Sequence, residues 1–366
     1  MKIVVTGTRG IPNILGGVET HCQELYPRIV NLGHEIILIR RKAYVEESPV
    51  RSVYKGVKLK DIWTPKQKSL EAIIHTFLAV IYAKKVKADL LHVHAIGPAI
   101  MIPFARLLGL KVVMTHHGPD YDRQKWNRLA KSILKLGEYL GIRFANKVIV
   151  ISKVIDEIVK SRYQKAKTAL IYNGVNIEMV PQNNSLLEYY SLKSDEYIVA
   201  VGRFVPEKGF HDLIEAYAGM NIDAKLVIVG DADHESEYSK KLKLQAAESN
   251  TTLTGFKSGD ELRTIFGNAK LFVLPSYHEG LPIALLEALS FGLNVLVSDI
   301  PANKMVNLES SEYFKVGDCK NLREKIKEKL KGETFKDYSN LIKEKYNWGS
   351  IAKETLVLYE KINNTY

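Results

Sequence analysis

Short apolar runs of strand length alternate with amphipathic stretches of helix length along the chain, and this rhythm confines it to α/β folds built on parallel sheets. In the first half the runs are residues 3–6, 36–39, 90–93, 112–115 and 148–151. All are rich in Ile, Val and Leu, as strands covered on both faces must be. Residues 18–32 read as a helix stopped by Gly33. The rhythm restarts in the second half with 198–201, 226–229, 253, 271–274 and 295–297. Residues 348–362 form a last helical pattern, with Ile351, Ala352, Thr355, Leu356, Leu358 and Tyr359 on one face. No period of 20–50 residues recurs, which excludes a solenoid.

A chain of 366 residues exceeds what one hydrophobic core usually holds. We therefore expect two doubly wound, Rossmann-like domains. The turn signal Asn173-Gly174-Val175 and the polar segment 181–185 put the boundary near 180, giving domains 1–180 and 181–347. Residues 348–366 are expected to pack back on the first. Open parallel sheets bind ligands at the carboxyl ends of their strands, so a site drawn from both halves, facing across a cleft, is expected.

Charge is divided unevenly. Residues 1–180 hold 29 Lys and Arg against 14 Asp and Glu; residues 181–366 hold 23 against 27. A basic first half suits an anionic partner: phosphate-bearing substrate, anionic lipid or nucleic acid. No helix-turn-helix, zinc-finger or RNP-like motif accompanies the charge, which disfavours nucleic acid. Cys22 and Cys319 lie far apart and without metal-ligand spacing. The longest apolar stretches, such as 77–83, fall short of the ~20 residues of a membrane-spanning helix. The opening MKIVVTG starts a strand at once instead of a leader, and the expected location is cytoplasmic.

Three loops carry the chemistry. The first strand runs into GTRGIPNILGGVE, residues 7–19, with a helix following. Glycines before a helix N-terminus let backbone N–H groups approach an anion, although the same glycines also serve an ordinary turn. Neither the dinucleotide nor the P-loop spacing is met. In the second half, GRFVPEKG (202–209) places Arg203 and Lys208 directly after a strand. Fixed cations there stabilise a departing diphosphate more than the ground state, unless they are merely solvated. The segment PSYHEGLPIALLEA (275–288) puts Glu279 in a loop and Glu287 about two turns into a helix that begins near Leu281. Glu287 then lies on an apolar face and needs a partner: a ribose diol or a core arginine.

These motifs together resemble the retaining glycosyltransferases of the GT-B fold, family 4. The resemblance rests on GRFVPEKG, on the E-x7-E pair Glu279/Glu287, and on NGV at 173–175, SDIPAN at 298–303 and the terminal YNW, and it covers nearly the whole chain. It implies a nucleotide-diphosphate sugar donor with Arg203 and Lys208 on the diphosphate. Glu279 and the amides of Gly280 and Leu281 would hold the donor sugar, Glu287 the ribose, and the base would sit near Phe256. Gly16 and Gly17 would bring backbone N–H groups to the phosphates. In HHGPD, residues 116–120, His117 is the histidine expected beside the reacting sugar, with Asp120 as an acceptor contact; a structural histidine pair is the alternative.

The resemblance also implies transfer with retention, in polysaccharide assembly such as capsule or lipopolysaccharide, to a saccharide acceptor that is often lipid-linked. A GT-B-shaped nucleotide-sugar epimerase is the enzymatic alternative, and a non-catalytic protein that binds nucleic acid or an anionic surface is the alternative from another class. No cofactor is expected. Asp-x-Asp triplets such as 120–122 and 231–233 can hold a divalent metal beside a diphosphate, but a cation-lined pocket makes a metal redundant here. His92 and His94, at period two, point to one strand face but lack further ligands for a metal.

Residues 121–147 combine Arg123, Lys125, Arg128, Lys131, Lys135, Arg143 and Lys147 with apolar Trp126, Leu129, Ile133, Leu136 and Leu140 at spacings of three and four. Such a helix either lies on an anionic membrane or packs its apolar stripe on its own sheet.

Overall fold

The computed structural model describes every residue except 15, 46–49, 66–70, 123–126, 177–179, 182, 233, 333–335 and 365–366. The chain divides into two compact units, Met1–Gly174 with Trp348–Tyr366, and Val175–Asn347. The first passage between them lies within the Asn173-Gly174-Val175 signal, ahead of the polar segment 181–185.

In the first unit the order is β1 Lys2–Thr6, α1 Gly17–Asn31, β2 Glu35–Arg41, β3 Val53–Tyr54, β4 Val57–Ile62, α2 Glu71–Lys85, β5 Leu90–His94, α3 Ile102–Leu107, β6 Val112–His116, α4 Arg128–Phe144, β7 Lys147–Val150, α5 Lys153–Arg162 and β8 Thr168–Leu170. The strands lie in the order β3-β4-β2-β1-β5-β6-β7-β8. All pairs are parallel except β3 with β4. Side chains alternate across β1, so Ile3 and Val5 face one layer and Val4 the other. Ile3 and Val5 pack with Cys22, Leu25, Tyr26 and Ile29 of α1, whereas Val4 packs with Ala79, Val80 and Ala83 of α2. Each such fully buried Ile or Leu contributes roughly 1.5–3 kcal/mol, which is why these runs carry so few polar residues.

The second unit runs α6 Asn184–Tyr189, β9 Tyr197–Val201, α7 Phe210–Ala218, β10 Lys225–Val229, α8 Glu237–Glu248, β11 Thr252–Leu253, α9 Gly259–Gly267, β12 Leu271–Leu274, α10 Ile283–Ser290, β13 Asn294–Ser298, α11 Pro301–Lys304, β14 Tyr313–Phe314, α12 Cys319–Lys331 and α13 Ser339–Lys345. Its strands lie parallel in the order β11-β10-β9-β12-β13-β14.

The last helix, α14 Trp348–Asn364, returns to the first unit. It lays Trp348, Ile351, Ala352 and Tyr359 into the same cluster as α1. Gly174 sits beneath Trp348: a Cβ there would lie 2.6 Å from the indole. Beside it, the Asn173 side chain meets His21 of α1 at 2.7 Å. The NGV signal is thus the point where the chain leaves a packed layer.

Strands β3, β4, β8 and β14 escape the sequence rhythm. β4 reads Val-Lys-Leu-Lys-Asp-Ile, half charged, and β3, β8 and β14 are only two or three residues long.

Candidate active site

In both sheets the order reverses once. In the second unit β10 and β11 lie to one side of β9 while β12, β13 and β14 lie to the other, so the crevice between the carboxyl ends of β9 and β12 is the switch point. Two loops open there, 202–209 after β9 and 275–282 after β12. Gly209 joins them: its φ is +65°, and a Cβ would lie 2.1 Å from the Pro275 carbonyl oxygen, so only glycine allows this approach. The Tyr277 N–H donates to the Glu207 carbonyl at 2.8 Å.

That contact brings Lys208 and Glu279 together. Lys208 Nζ donates to Glu279 Oε1 at 2.5 Å, and Ser276 Oγ donates to the same oxygen at 2.7 Å. Both bonds fall on Oε1, which leaves the Oε2 lone pairs for a further donor, and the ammonium keeps two more N–H groups. Both side chains are largely but not wholly buried. The loop is braced from behind. The Tyr277 hydroxyl donates to Asp212 Oδ2 at 2.6 Å, and burial with this bond raises its pKa to about 12. Ser298 Oγ donates to the Ser276 carbonyl at 2.5 Å, and Asn303 Nδ2 donates to Ser298, giving SDIPAN its role.

The remaining residues expected in this unit follow the same edge. Arg203 is half-buried in the β9 loop. Gly280 is half-buried and Leu281 buried at the end of the β12 loop. Glu287 is half-buried in α10, which begins at Ile283, so it lies little more than one turn in rather than two. Phe256 is exposed just past β11, after Gly255 at φ +71°.

In the first unit the switch point lies between β1 and β5. Gly7 lets the β1 loop touch β5: a Cβ there would lie 2.1 Å from the His94 carbonyl oxygen. Gly16, at φ +147°, precedes α1, and Gly17 opens it. Glu19 turns back into the loop, its Oε1 accepting from Thr8 Oγ1 at 3.1 Å and from the Arg9 N–H at 2.9 Å.

After β6 the two histidines separate in role. His116 is buried; its Nε2 meets Glu138 Oε1 of α4 at 2.8 Å, and its Nδ1 accepts from the Gly118 N–H at 3.1 Å. It anchors the loop. Glu138 also accepts from the Tyr121 and Tyr163 hydroxyls. His117 is half-buried, and its Nε2 lies 2.9 Å from His94 Nδ1. Its ring meets His21 edge-on, 5.1 Å between centroids. Asp120 is half-buried two residues beyond Gly118, whose carbonyl accepts its N–H at 3.0 Å.

Sequence pattern does not single out Ser276, nor Tyr26 and His21, and reads Tyr359 only as a packing position of the last helix; His21, Tyr26 and Tyr359 cluster with His92 and His94 behind His117. The H-x-H spacing at 92 and 94 is the one signal pointing to that cluster. Among the described residues no group of three or more His, Cys, Asp or Glu is arranged to hold a metal ion. Asp233, half of one Asp-x-Asp triplet, lies outside the described residues.

Helix α4 begins at Arg128, capped by the Asn127 side chain. It packs through Gly137 and Gly141, whose added Cβ atoms would strike Ile96 and Met114. Of its apolar stripe, Leu129 is 71% and Leu136 48% exposed, while Ile133 and Leu140 are half-buried. Arg123, Lys125 and Trp126 lie outside the described residues. No helix among the described residues is long and apolar enough to cross a membrane.

Comparison with known proteins agrees with this architecture. Residues 15–179 match the family described as Glycosyltransferase Family 4, and residues 188–348 match Glycosyl transferases group 1. An uncharacterized glycosyltransferase of Methanocaldococcus jannaschii is 27% identical over 98% of each chain. The UDP-Gal:alpha-D-GlcNAc-diphosphoundecaprenol alpha-1,3-galactosyltransferase of Escherichia coli is 27% identical over 82% of this chain and 81% of its own. Among solved structures, sucrose-phosphate synthase from Thermosynechococcus elongatus superposes with a TM-score of 0.81 at 20% identity, covering 99% of this chain and 98% of that one. Anabaena HepE, solved in complex with UDP-glucose, gives 0.78 at 17% identity, covering 99% and 100%. The two structural likenesses speak to fold and the two family matches to kind: the chain belongs to the family 4, group 1 glycosyltransferases and has their GT-B fold.

Proposed function

We propose that this protein transfers a hexose, with retention of configuration, from a nucleotide-diphosphate sugar to a saccharide acceptor carried on a lipid, in polysaccharide assembly. The observation that carries the reading is the Lys208–Glu279 pair at the switch point of the second unit. A cation and a carboxylate held side by side on loops suit a diphosphate and the hydroxyls of the sugar attached to it. Support for a UDP sugar and a lipid-linked acceptor comes from the E. coli relative's name, and for a UDP sugar also from the HepE complex.

On this reading Arg203 and Lys208 neutralise the diphosphate as its bond to the anomeric carbon breaks, an interaction that strengthens as charge develops. Glu279, with the amides of Gly280 and Leu281, orients the sugar; Glu287 takes the ribose and Phe256 borders the base. Gly16 and Gly17 offer N–H groups to phosphate, while His117 and Asp120 line the sugar and acceptor region. The acceptor oxygen bonds to the anomeric carbon on the face the diphosphate leaves. Its proton passes to the departing phosphate oxygen, so no protein base is required. The protein cations take the place of a metal ion.

The test is transfer from an α-linked UDP-hexose to a diphosphoundecaprenol-linked sugar, with the new linkage read by NMR. An α-linked product supports retention; a β-linked product, or release of a free epimerised sugar without transfer, overturns the reading.

The exposed part of the α4 stripe favours a second element, attachment to an anionic membrane through Arg128, Lys131, Lys135 and Arg143 with Leu129 and Leu136. Retention by phosphatidylglycerol vesicles at low salt, lost at high salt, is expected. Equal recovery from neutral and anionic vesicles contradicts it.

A further inference from the structure

Two buried polar groups at the carboxyl edge of the first sheet lack partners. On β2, Ile37 and Ile39 pack against α2, so the alternation of the strand turns Arg41 to the same layer. There Arg41 Nη1 donates to Glu71 Oε1 of α2 at 3.1 Å, and the Tyr44 hydroxyl donates to Glu71 Oε2 at 3.2 Å. Arg41 Nε is buried and makes no hydrogen bond. Ile62 of β4 lies opposite Arg41 in register, and the chain leaves β4 through Trp63, Thr64 and Pro65. Thr64 is 4% exposed, and its hydroxyl has no partner either. Buried polar groups left unpaired cost stability, so two in adjoining segments mark a place where a group from outside the chain completes the bonding.

The surroundings narrow the choice of that group. Lys42, Ala43, Trp63, Thr64 and Pro65 line an open recess of about 380 Å³. Trp63 is 64% exposed there. An indole offers an apolar face to the C–H groups of a sugar ring and an N–H to an oxygen. Arg40 pairs with Asp61 and Arg41 with Glu71, while Arg9, over the Tyr44 ring, and the exposed Lys42 add positive charge. His75, buried beside Arg41, adds none: burial and the guanidinium hold its pKa down to about 4. Such a recess suits an anion attached to a sugar better than a neutral saccharide.

Its position fits an acceptor. In the strand order β4-β2-β1-β5, the gap between β4 and β2 is two strands from the switch point between β1 and β5, about 10 Å at the usual spacing. That is about the reach from a hydroxyl on one side of a hexose to a diphosphate on its anomeric carbon.

We propose that the carboxyl edge of β2 and β4 is the subsite for the phosphoryl group of the acceptor. Lys42 meets the anion, the Thr64 hydroxyl donates to a phosphate oxygen, and Trp63 covers the sugar beside it. Thr64 reaches that oxygen by a change of χ1 from one staggered well to another. Arg41, which keeps Glu71 as a partner, has its Nε–H left for the same group. The inference rests on the reading of the acceptor as lipid-carried and names the class of its link, a phosphate or diphosphate ester.

The test is 1H–15N NMR of the Trp63 indole in the full chain, assigned with Trp63→Phe. Glucosyl octyl diphosphate and octyl glucoside are titrated in turn, with UDP in excess to fill the donor site. The diphosphate should shift the Trp63 signal and bind at least about tenfold more tightly than the glucoside. Lys42→Ala should raise its Kd by about tenfold. Thr64→Val should raise it too, yet melt no lower than the wild type, because the hydroxyl it removes has no partner in the free protein. Thr64→Ser, which keeps the hydroxyl, should bind as the wild type does. Equal affinities for the two ligands, an unmoved Trp63 signal, or a Kd that neither Lys42→Ala nor Thr64→Val changes overturns the proposal. A Trp63 shift without transfer to the same compound from UDP-, GDP- or ADP-hexoses leaves the subsite standing and removes the acceptor reading. Transfer with an acceptor KM that neither variant changes does the reverse.

Discussion

The two units share a design, a parallel sheet with one reversal of strand order, but equip their switch points differently. The second unit sets charged groups on loops: Lys208 and Glu279, in contact and partly exposed, carried by segments that are contiguous in sequence. The first unit sets a half-buried imidazole in front of buried neutral groups contributed by residues 21, 26, 92, 94 and 359. The difference fits the two jobs proposed. A diphosphate needs charge that water can reach before binding, whereas burial keeps the imidazoles of His92 and His94 behind His117 uncharged.

The largest expected effect breaks the charged side of this comparison. Lys208→Ala should lower kcat by about 10²–10³-fold, as removal of one transition-state donor does, and should cost about 1–3 kcal/mol of stability because the largely buried Glu279 loses its cation. Steady-state kinetics with a melting curve checks both. A loss confined to KM would mean that Lys208 binds ground and transition states alike.

The neutral side is exposed by acid. The pKa of His21 is depressed in the fold from 6.5 to about 4, so the unfolded chain takes up a proton first. Its contribution is whole above pH 6.5, is lost as pH falls from 6.5 towards 4, and amounts to about 3 kcal/mol. Urea denaturation at several pH values should show this slope, reduced in His21→Gln, which keeps a partner for Asn173 but does not titrate. An identical slope in the variant would assign the acid sensitivity elsewhere.

Gly209→Ala sharpens the comparison at its hinge. The new Cβ meets the Pro275 carbonyl, and the left-handed φ adds strain, so about 1–3 kcal/mol of stability should go, with Glu279 displaced and activity falling further than the melting shift accounts for. The smallest effect is expected on the outer face of α4. Leu129→Ser should change stability by less than ~0.5 kcal/mol because the side chain touches mostly solvent, yet weaken retention on anionic vesicles.

How much of this was legible follows the same divide. The core strands and α1 and α14 declared themselves because parallel strands buried on both faces must be continuously apolar and a helix packed on one face must repeat at three and four. The half-charged β4 and the two- and three-residue strands offered no such pattern. In the second unit Arg203, Lys208 and Glu279 could be picked out because strand-end loops keep their chemistry within a few residues. Ser276 was passed over because a serine beside a proline reads as a turn. In the first unit the resemblance singled out His117, but not the groups behind it: Tyr26 and Tyr359 are 333 positions apart, and only the return of α14 onto the first sheet brings both to His92. The α4 stripe left two readings open; Gly137 and Gly141 take the packed face, and Leu129 and Leu136 are left exposed.

The central claim, that the switch point of the second unit holds a nucleotide-diphosphate sugar, is tested most directly by thermal melting with UDP-, GDP- and ADP-hexoses, wild type beside Lys208→Ala and Glu279→Ala. A ligand of the native state at 100 times its Kd adds about 2.7 kcal/mol. The account predicts that one nucleotide sugar raises the wild-type Tm, that Lys208→Ala loses most of the shift, and that Glu279→Ala loses the increment of the intact sugar over the bare nucleotide diphosphate. Equal shifts in all three proteins, or none with any nucleotide sugar, would contradict it.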